Sequence, residues 1–162
     1  MKKSILPGLF FLFCLFLSET SGAQKLDQAK LINQLVGKWQ AKISADTAEI
    51  WDFKKFGTQS FIVDIYRKTR DNTVPVSFNS IYFDPAADKF YGFTLLSTGG
   101  YGTWIGSFAS ESKFYGDMLN NFNPQPVYGK FENTFTNPGE WTWTGHINEG
   151  IKLPDLHFVR VE

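Results

Sequence analysis

The sequence holds few of the residues on which metal and redox chemistry depends: one cysteine and two histidines in 162 residues. The cysteine, Cys14, sits in an apolar run that reads as a leader. The mature chain then has neither thiol nor disulfide, and its stability rests on its core because no cross-link restricts the unfolded state. His146 and His157 show no His-x-His or His-x-x-x-His spacing. That argues against a structural zinc site, and no metal or cofactor is assigned. An excess of one charge is lacking too. Of 16 basic and 16 acidic residues, Lys2, Lys3 and Glu19 lie in the leader, which leaves the mature domain one net negative charge. Such a domain has no basic field to draw in nucleic acid, and no basic amphipathic helix suggests a membrane surface. Catalytic motifs are equally scarce. Gly99-Gly100-Tyr101-Gly102 joins two expected strands, with no P-loop lysine and no helix after it. No Gly-x-Ser-x-Gly elbow is present. Glu49, Asp52 and Asp64 are the candidates for a carboxylate pair across adjacent strands, and no catalytic residue is assigned.

What is present begins with the leader. Lys2 and Lys3 precede an apolar run from Ile5 to Leu17, and Ser21-Gly22-Ala23 supplies small residues before Gln24. This is the three-part pattern of a secretory signal. Its apolar core is shorter than the ~20 residues a spanning helix needs. Bulky Phe13 stands before Cys14, where lipid attachment would need a small residue. The expectation is a signal peptide at 1–23, a single domain at 24–162, a periplasmic or secreted location and no membrane span after cleavage.

Within that domain one stretch has helical period. Leu31, Ile32, Leu35 and Val36 form an apolar stripe between Asp27 and Gly37, residues suited to the two ends of a short helix. From Trp39 onward the period is two. Runs rich in Val, Ile, Thr and aromatics recur near 38–45, 48–56, 60–69, 75–83, 89–97, 101–109, 112–119, 127–136, 140–147 and 155–161, separated by Gly, Pro, Asn and Asp. No connection is long enough for a crossover helix, so neighbours are expected to pair antiparallel. The fold class expected is all-β: an up-and-down barrel of about ten strands with a short N-terminal helix. Ser60-Phe61-Ile62-Val63-Asp64-Ile65-Tyr66 is apolar on both faces, so alternation does not choose its inner one.

Aromatic residues make up 17% of the chain and include five tryptophans. A ten-strand barrel is wider than the eight-strand size that side chains fill unaided. The expectation is therefore a cavity walled by aromatics and taking a small hydrophobic ligand, with a solid core as the competing arrangement. Candidate ligand-binding residues are Trp51, Phe53, Phe78, Tyr82, Phe93, Trp104, Phe131, Trp141 and Trp143, with Phe108 and Phe135 on the same face and Arg67 and Asn133 as further polar anchors. His146 falls opposite the tryptophans of its strand and His157 opposite Leu156 and Phe158, and both read as surface residues.

Two patterns carry a resemblance. Gly37-Lys38-Trp39 opens the first strand and Arg160 lies in the last. In a closed barrel these strands pair, which lets the guanidinium stack on the indole for ~0.5–2 kcal/mol and donate to nearby carbonyls. Gly37, Trp39 and Arg160 together resemble the signature of the lipocalin, or calycin, superfamily. The block from Ser80 to Tyr91, with its Asp84-Pro85 turn, and the following Gly102-Thr103-Trp104-Ile105-Gly106 are similar to the DUF1579 family of bacterial lipocalin-like proteins. The resemblance implies a calycin-type barrel and brings no catalytic residues. The chain is also broadly similar to haem-binding nitrobindin-type barrels, which implies a histidine facing inward. A calycin-fold enzyme acting on an apolar substrate would instead need an inward carboxylate.

Overall fold

The computed structural model describes residues 25–120 and 123–161; the expected leader at 1–23 lies outside them. A four-residue α-helix, α1 (Gln28–Leu31), runs into a 3-10 turn (Ile32–Leu35). Then follow β1 (Gly37–Lys42), β2 (Ala48–Phe56), β3 (Ser60–Lys68), β4 (Thr73–Asp84), β5 (Lys89–Leu96), β6 (Tyr101–Ser110), β7 (Lys113–Asn120), β8 (Asn123–Asn137), β9 (Glu140–Ile147), β10 (Ile151–Lys152) and β11 (Leu156–Arg160). Strands β1 to β9 form an antiparallel meander, β9 pairs β11, and β11 pairs β1. This closes a ten-strand barrel, with β10 an extra two-residue strand on the end of β9. Closure removes the free sheet edges that would otherwise invite pairing with another chain.

Alternation explains each strand's inner face. In β3, Phe61, Val63 and Ile65 are buried, and they pair with inward Ile81, Phe53 and Trp51. The face that the sequence leaves open is thus chosen by the neighbours. β4 extends two residues earlier than its pattern suggests and includes Pro75. A register shift between Ile65 and Tyr66 brings Pro75 opposite Tyr66, an irregularity of the kind where a missing N–H is tolerated. β8 likewise begins at Asn123, so part of the expected Asn120–Pro126 turn is strand.

The helix is shorter than its stripe suggests, because its second turn tightens. Three residues per 3-10 turn place Ile32 and Leu35 one above the other, and both are buried over the barrel end. Asp27 accepts from Lys30 N at 2.9 Å as N-cap. Buried Gln28 grips the β6 backbone in both directions, donating to Phe108 O (2.9 Å) and accepting from Phe108 N (2.7 Å).

The C-terminal end of this helix explains the Gly37–Trp39–Arg160 pattern. A helix leaves its last carbonyls without partners. Here Leu35 O accepts from Trp39 Nε1 (2.7 Å), Val36 O from Arg160 Nη1 (2.7 Å) and Gln34 O from Arg160 Nη2 (2.9 Å). Arg160 Nε also donates to Pro138 O (3.2 Å), and the guanidinium lies 4.1 Å from the Trp39 ring centroid. Gly37, at φ +124°, supplies the bend from helix into strand. The pair thus ties helix, first strand, last strand and the β8–β9 turn together at the capped end.

Candidate functional site

Above the capped end the barrel is hollow. A cavity of about 580 Å³ opens at the opposite rim. Ile32 and Leu35 contribute its floor, and Trp51, Phe53, Trp104, Phe131 and Trp143 stand in its wall. These wall residues sit at successive strand pairs. Trp51 is opposite Ile65, Trp104 opposite Met118, and Phe131 opposite Gly116 and Gly145.

Glycine keeps the space open. Gly92 is the cross-strand partner of Trp104, and a Cβ at Gly92 would overlap the indole. Gly116 is the partner of Phe131, and a Cβ there would overlap the phenyl ring. With no side chain beneath them, these rings press against the backbone of the next strand rather than projecting across the barrel. An aromatic-rich interior can then remain unfilled, although protein interiors otherwise pack at crystal density.

Polar groups are a minority of the wall. Glu49 is buried; its Oε1 accepts from Trp51 Nε1 at 2.8 Å, and its Oε2 lies 3.4 Å from Arg67 Nη2. The first contact fixes the tilt of the Trp51 ring. The second compensates the carboxylate from a half-exposed guanidinium near the β3–β4 turn. Thr94 Oγ1 donates to Asn79 Oδ1 across β4 and β5. Asn133, only 6% exposed, lines the cavity with its Oδ1 unpartnered. A buried polar atom without a partner is uncommon enough in a folded protein to need a cause.

Several expected site residues lie elsewhere. Trp141 faces inward but is fully buried below the cavity, stacked on Phe158 at 4.3 Å and 13°, so it belongs to the core. Phe78 and Tyr82 point outward and are exposed, because the inward positions of β4 are Ser77, Asn79, Ile81 and Phe83. Phe93 stands opposite the face of Gly92 and Thr94, stacks on Tyr101 and does not line the cavity. For Phe78, Tyr82 and Phe93 strand parity decides the face, and for Trp141 its height along the barrel decides between core and wall. Residues that this reading passed over are Glu49 as a wall group, Asn79, Thr94 and the helical floor. Their signal is a position in register with a neighbouring inward residue.

The remaining candidates sort clearly. His146 and His157 are exposed, with His157 Nδ1 3.0 Å from Thr142 Oγ1, and neither lines the cavity. Asp52 and Asp64 are indeed direct cross-strand partners, but on the outer face, with Lys54 between them at 3.1 and 2.8 Å. Hydrogen bonds donated to Asp64 first, then Asp52, hold the Lys54 ammonium far above its usual pKa of 10.5. This cluster relieves carboxylate repulsion and leaves no free acid–base pair. Among the described residues Glu49 is the one carboxylate on the cavity wall. Among the described residues no group of three His, Cys, Asp or Glu could hold a metal, and no helix is long and apolar enough to cross a membrane.

Fold and site together define a closed ten-strand antiparallel barrel with a buried aromatic cluster. The chain matches no family model, and no curated protein matches it.

Proposed function

We propose that the protein is an exported, lipocalin-like binding protein that holds a small hydrophobic or aromatic ligand in its barrel. The observation that carries this reading is the cavity of about 580 Å³ walled by aromatic rings. Its size lies within the ~300–1,000 Å³ of small-molecule sites, and a mostly apolar wall with a few placed polar groups is their usual character. The N-terminal pattern of Lys2, Lys3, the apolar run and Ser21-Gly22-Ala23 supports export. The Gly37–Trp39–Arg160 arrangement and the Asp84-Pro85 block support a place among calycin-type barrels akin to the DUF1579 family. Haem ligation by histidine is disfavoured by the outward direction of both imidazoles, and acid–base catalysis by the engagement of Glu49 with Trp51 and Arg67.

Native mass spectrometry of mature protein purified from its own host, paired with an absorption spectrum, tests this reading. A discrete adduct that Trp143→Ala abolishes is the expected result, together with an N-terminus at Gln24. A bare mass under gentle conditions, with no tryptophan quenching by a panel of fatty acids and aromatics, would contradict it.

A further inference from the structure

The charge and hydrogen-bonding character of the cavity narrows its ligand. Among the described residues no lysine, arginine or histidine lines it. Arg67, which reaches the wall residue Glu49 from outside the lining, is half exposed and faces the carboxylate of Glu49. A ligand carboxylate drawn inside would therefore be desolvated without a cationic partner and would share the space with Glu49, two penalties of the same sign. A carboxylate oxygen that already accepts one hydrogen bond keeps further lone-pair capacity, so Glu49 remains an acceptor. Deeper in, the buried Asn133 Oδ1 is an acceptor with no partner in the protein. Asn133 is the cross-strand partner of Trp143 and of Phe114, so its amide lies among rings of the cavity wall. Leaving such an atom unsatisfied in an apolar surround is costly, whereas a ligand N–H or O–H placed against it removes that cost.

We infer that the cavity takes an uncharged aromatic ring compound bearing an N–H or O–H donor, with Asn133 as its polar anchor, and that it rejects carboxylates of the same shape. This inference rests on the binding reading above but goes beyond it, since that reading is indifferent to the ligand's head group. Rings in the wall supply stacking and edge contacts to an aromatic body. Asn133 sets the orientation, and the unpaired Glu49 lone pairs discriminate against an anion at the mouth.

Three probes with one ring system and different heads separate the possibilities: 2-naphthol as donor, 2-methoxynaphthalene as acceptor alone, and 2-naphthoate as anion. Calorimetric titration of the mature protein at neutral pH and in moderate salt is expected to rank them in that order. Naphthol should bind about tenfold tighter than the methyl ether, the value of one well-placed hydrogen bond. Asn133→Leu should erase that tenfold gap and leave the methyl ether within about threefold of its wild-type affinity. Should that variant fail to fold, the wild-type ranking alone still decides. Naphthoate binding as tightly as naphthol, or an Asn133→Leu effect equal on naphthol and its ether, overturns the inference while leaving a binding cavity intact. Failure of all three probes to bind to protein shown to be folded overturns the cavity reading itself.

Discussion

At the capped end of the barrel aromatic rings close into a solid cluster; toward the open end Trp104, Phe131 and Trp143 touch one another along the wall and leave a hole. Trp141 stacks on Phe158 and meets Trp39 edge-on at 6.0 Å, while Phe90 packs between Phe83 at 4.9 Å and Phe114 at 5.9 Å. In the wall, Trp104 and Phe131 have glycines as cross-strand partners instead. Composition therefore does not decide whether an aromatic-rich barrel is solid or hollow. At Trp104 and Phe131 the glycine opposite the ring makes room, and the helix seals one end of the barrel and not the other. Ring pairs occur at both ends, but the rings of the capped end are fully buried and those of the wall only partly, so the capped end is expected to be the stable half and the open end the candidate site.

The contrast is broken most strongly at its stable side. Trp141→Ala removes a fully buried indole from the aromatic cluster and is expected to cost about 3–5 kcal/mol, read as a shifted urea midpoint at unchanged slope. On the open side, Gly116→Ala places a methyl group where the Phe131 ring lies. The ring must swing into the cavity, at a cost of about 1–3 kcal/mol and with weaker ligand binding; unchanged binding would contradict the role given to glycine.

Arg160→Lys keeps the charge but loses the planar fork that serves Val36 O and Gln34 O together. A loss of roughly 1–2 kcal/mol is expected, with ligand affinity largely retained, since the site lies at the other end.

The smallest effect concerns an ion pair on the outer face. The Thr134 hydroxyl first, then the Lys113 ammonium, hold the Glu132 carboxyl below its ordinary pKa of 4.5. A carboxylate lowered on folding contributes stability that is present above the unfolded value and is lost as pH falls through the folded one. Glu132→Gln is thus expected to lower stability at pH 7 by about 0.5 kcal/mol, the worth of a partly exposed pair. That difference should vanish when the urea midpoints are compared again well below pH 4.

The fold was largely legible, for reasons that particular strands make plain. β2 and β9 coincide with their period-two runs, and the Trp39–Arg160 pairing follows once the first and last strands are joined. β10 was missed because two residues carry no period. The site was legible only in part. Alternation assigns a face but not a height along the barrel, so Trp141 and Trp143, two residues apart on one strand, could not be told apart as core and wall. Height is set by the stagger between strands, which depends on turns and register shifts such as those in β3–β4 and β7–β8. Phe78 and Tyr82 show a second limit. A search for large apolar residues passes over small polar ones, and in β4 it is Ser77 and Asn79 that face the cavity.

The central claim is that the folded barrel encloses an accessible apolar cavity, and the most direct test is titration with N-phenyl-1-naphthylamine, an uncharged aromatic dye that brightens in apolar surroundings. Saturable binding of one dye per barrel is expected, with matching quenching of tryptophan emission from Trp51, Trp104 and Trp143. A flat response from protein that unfolds cooperatively in urea would contradict it and would mean that the barrel interior is closed or filled.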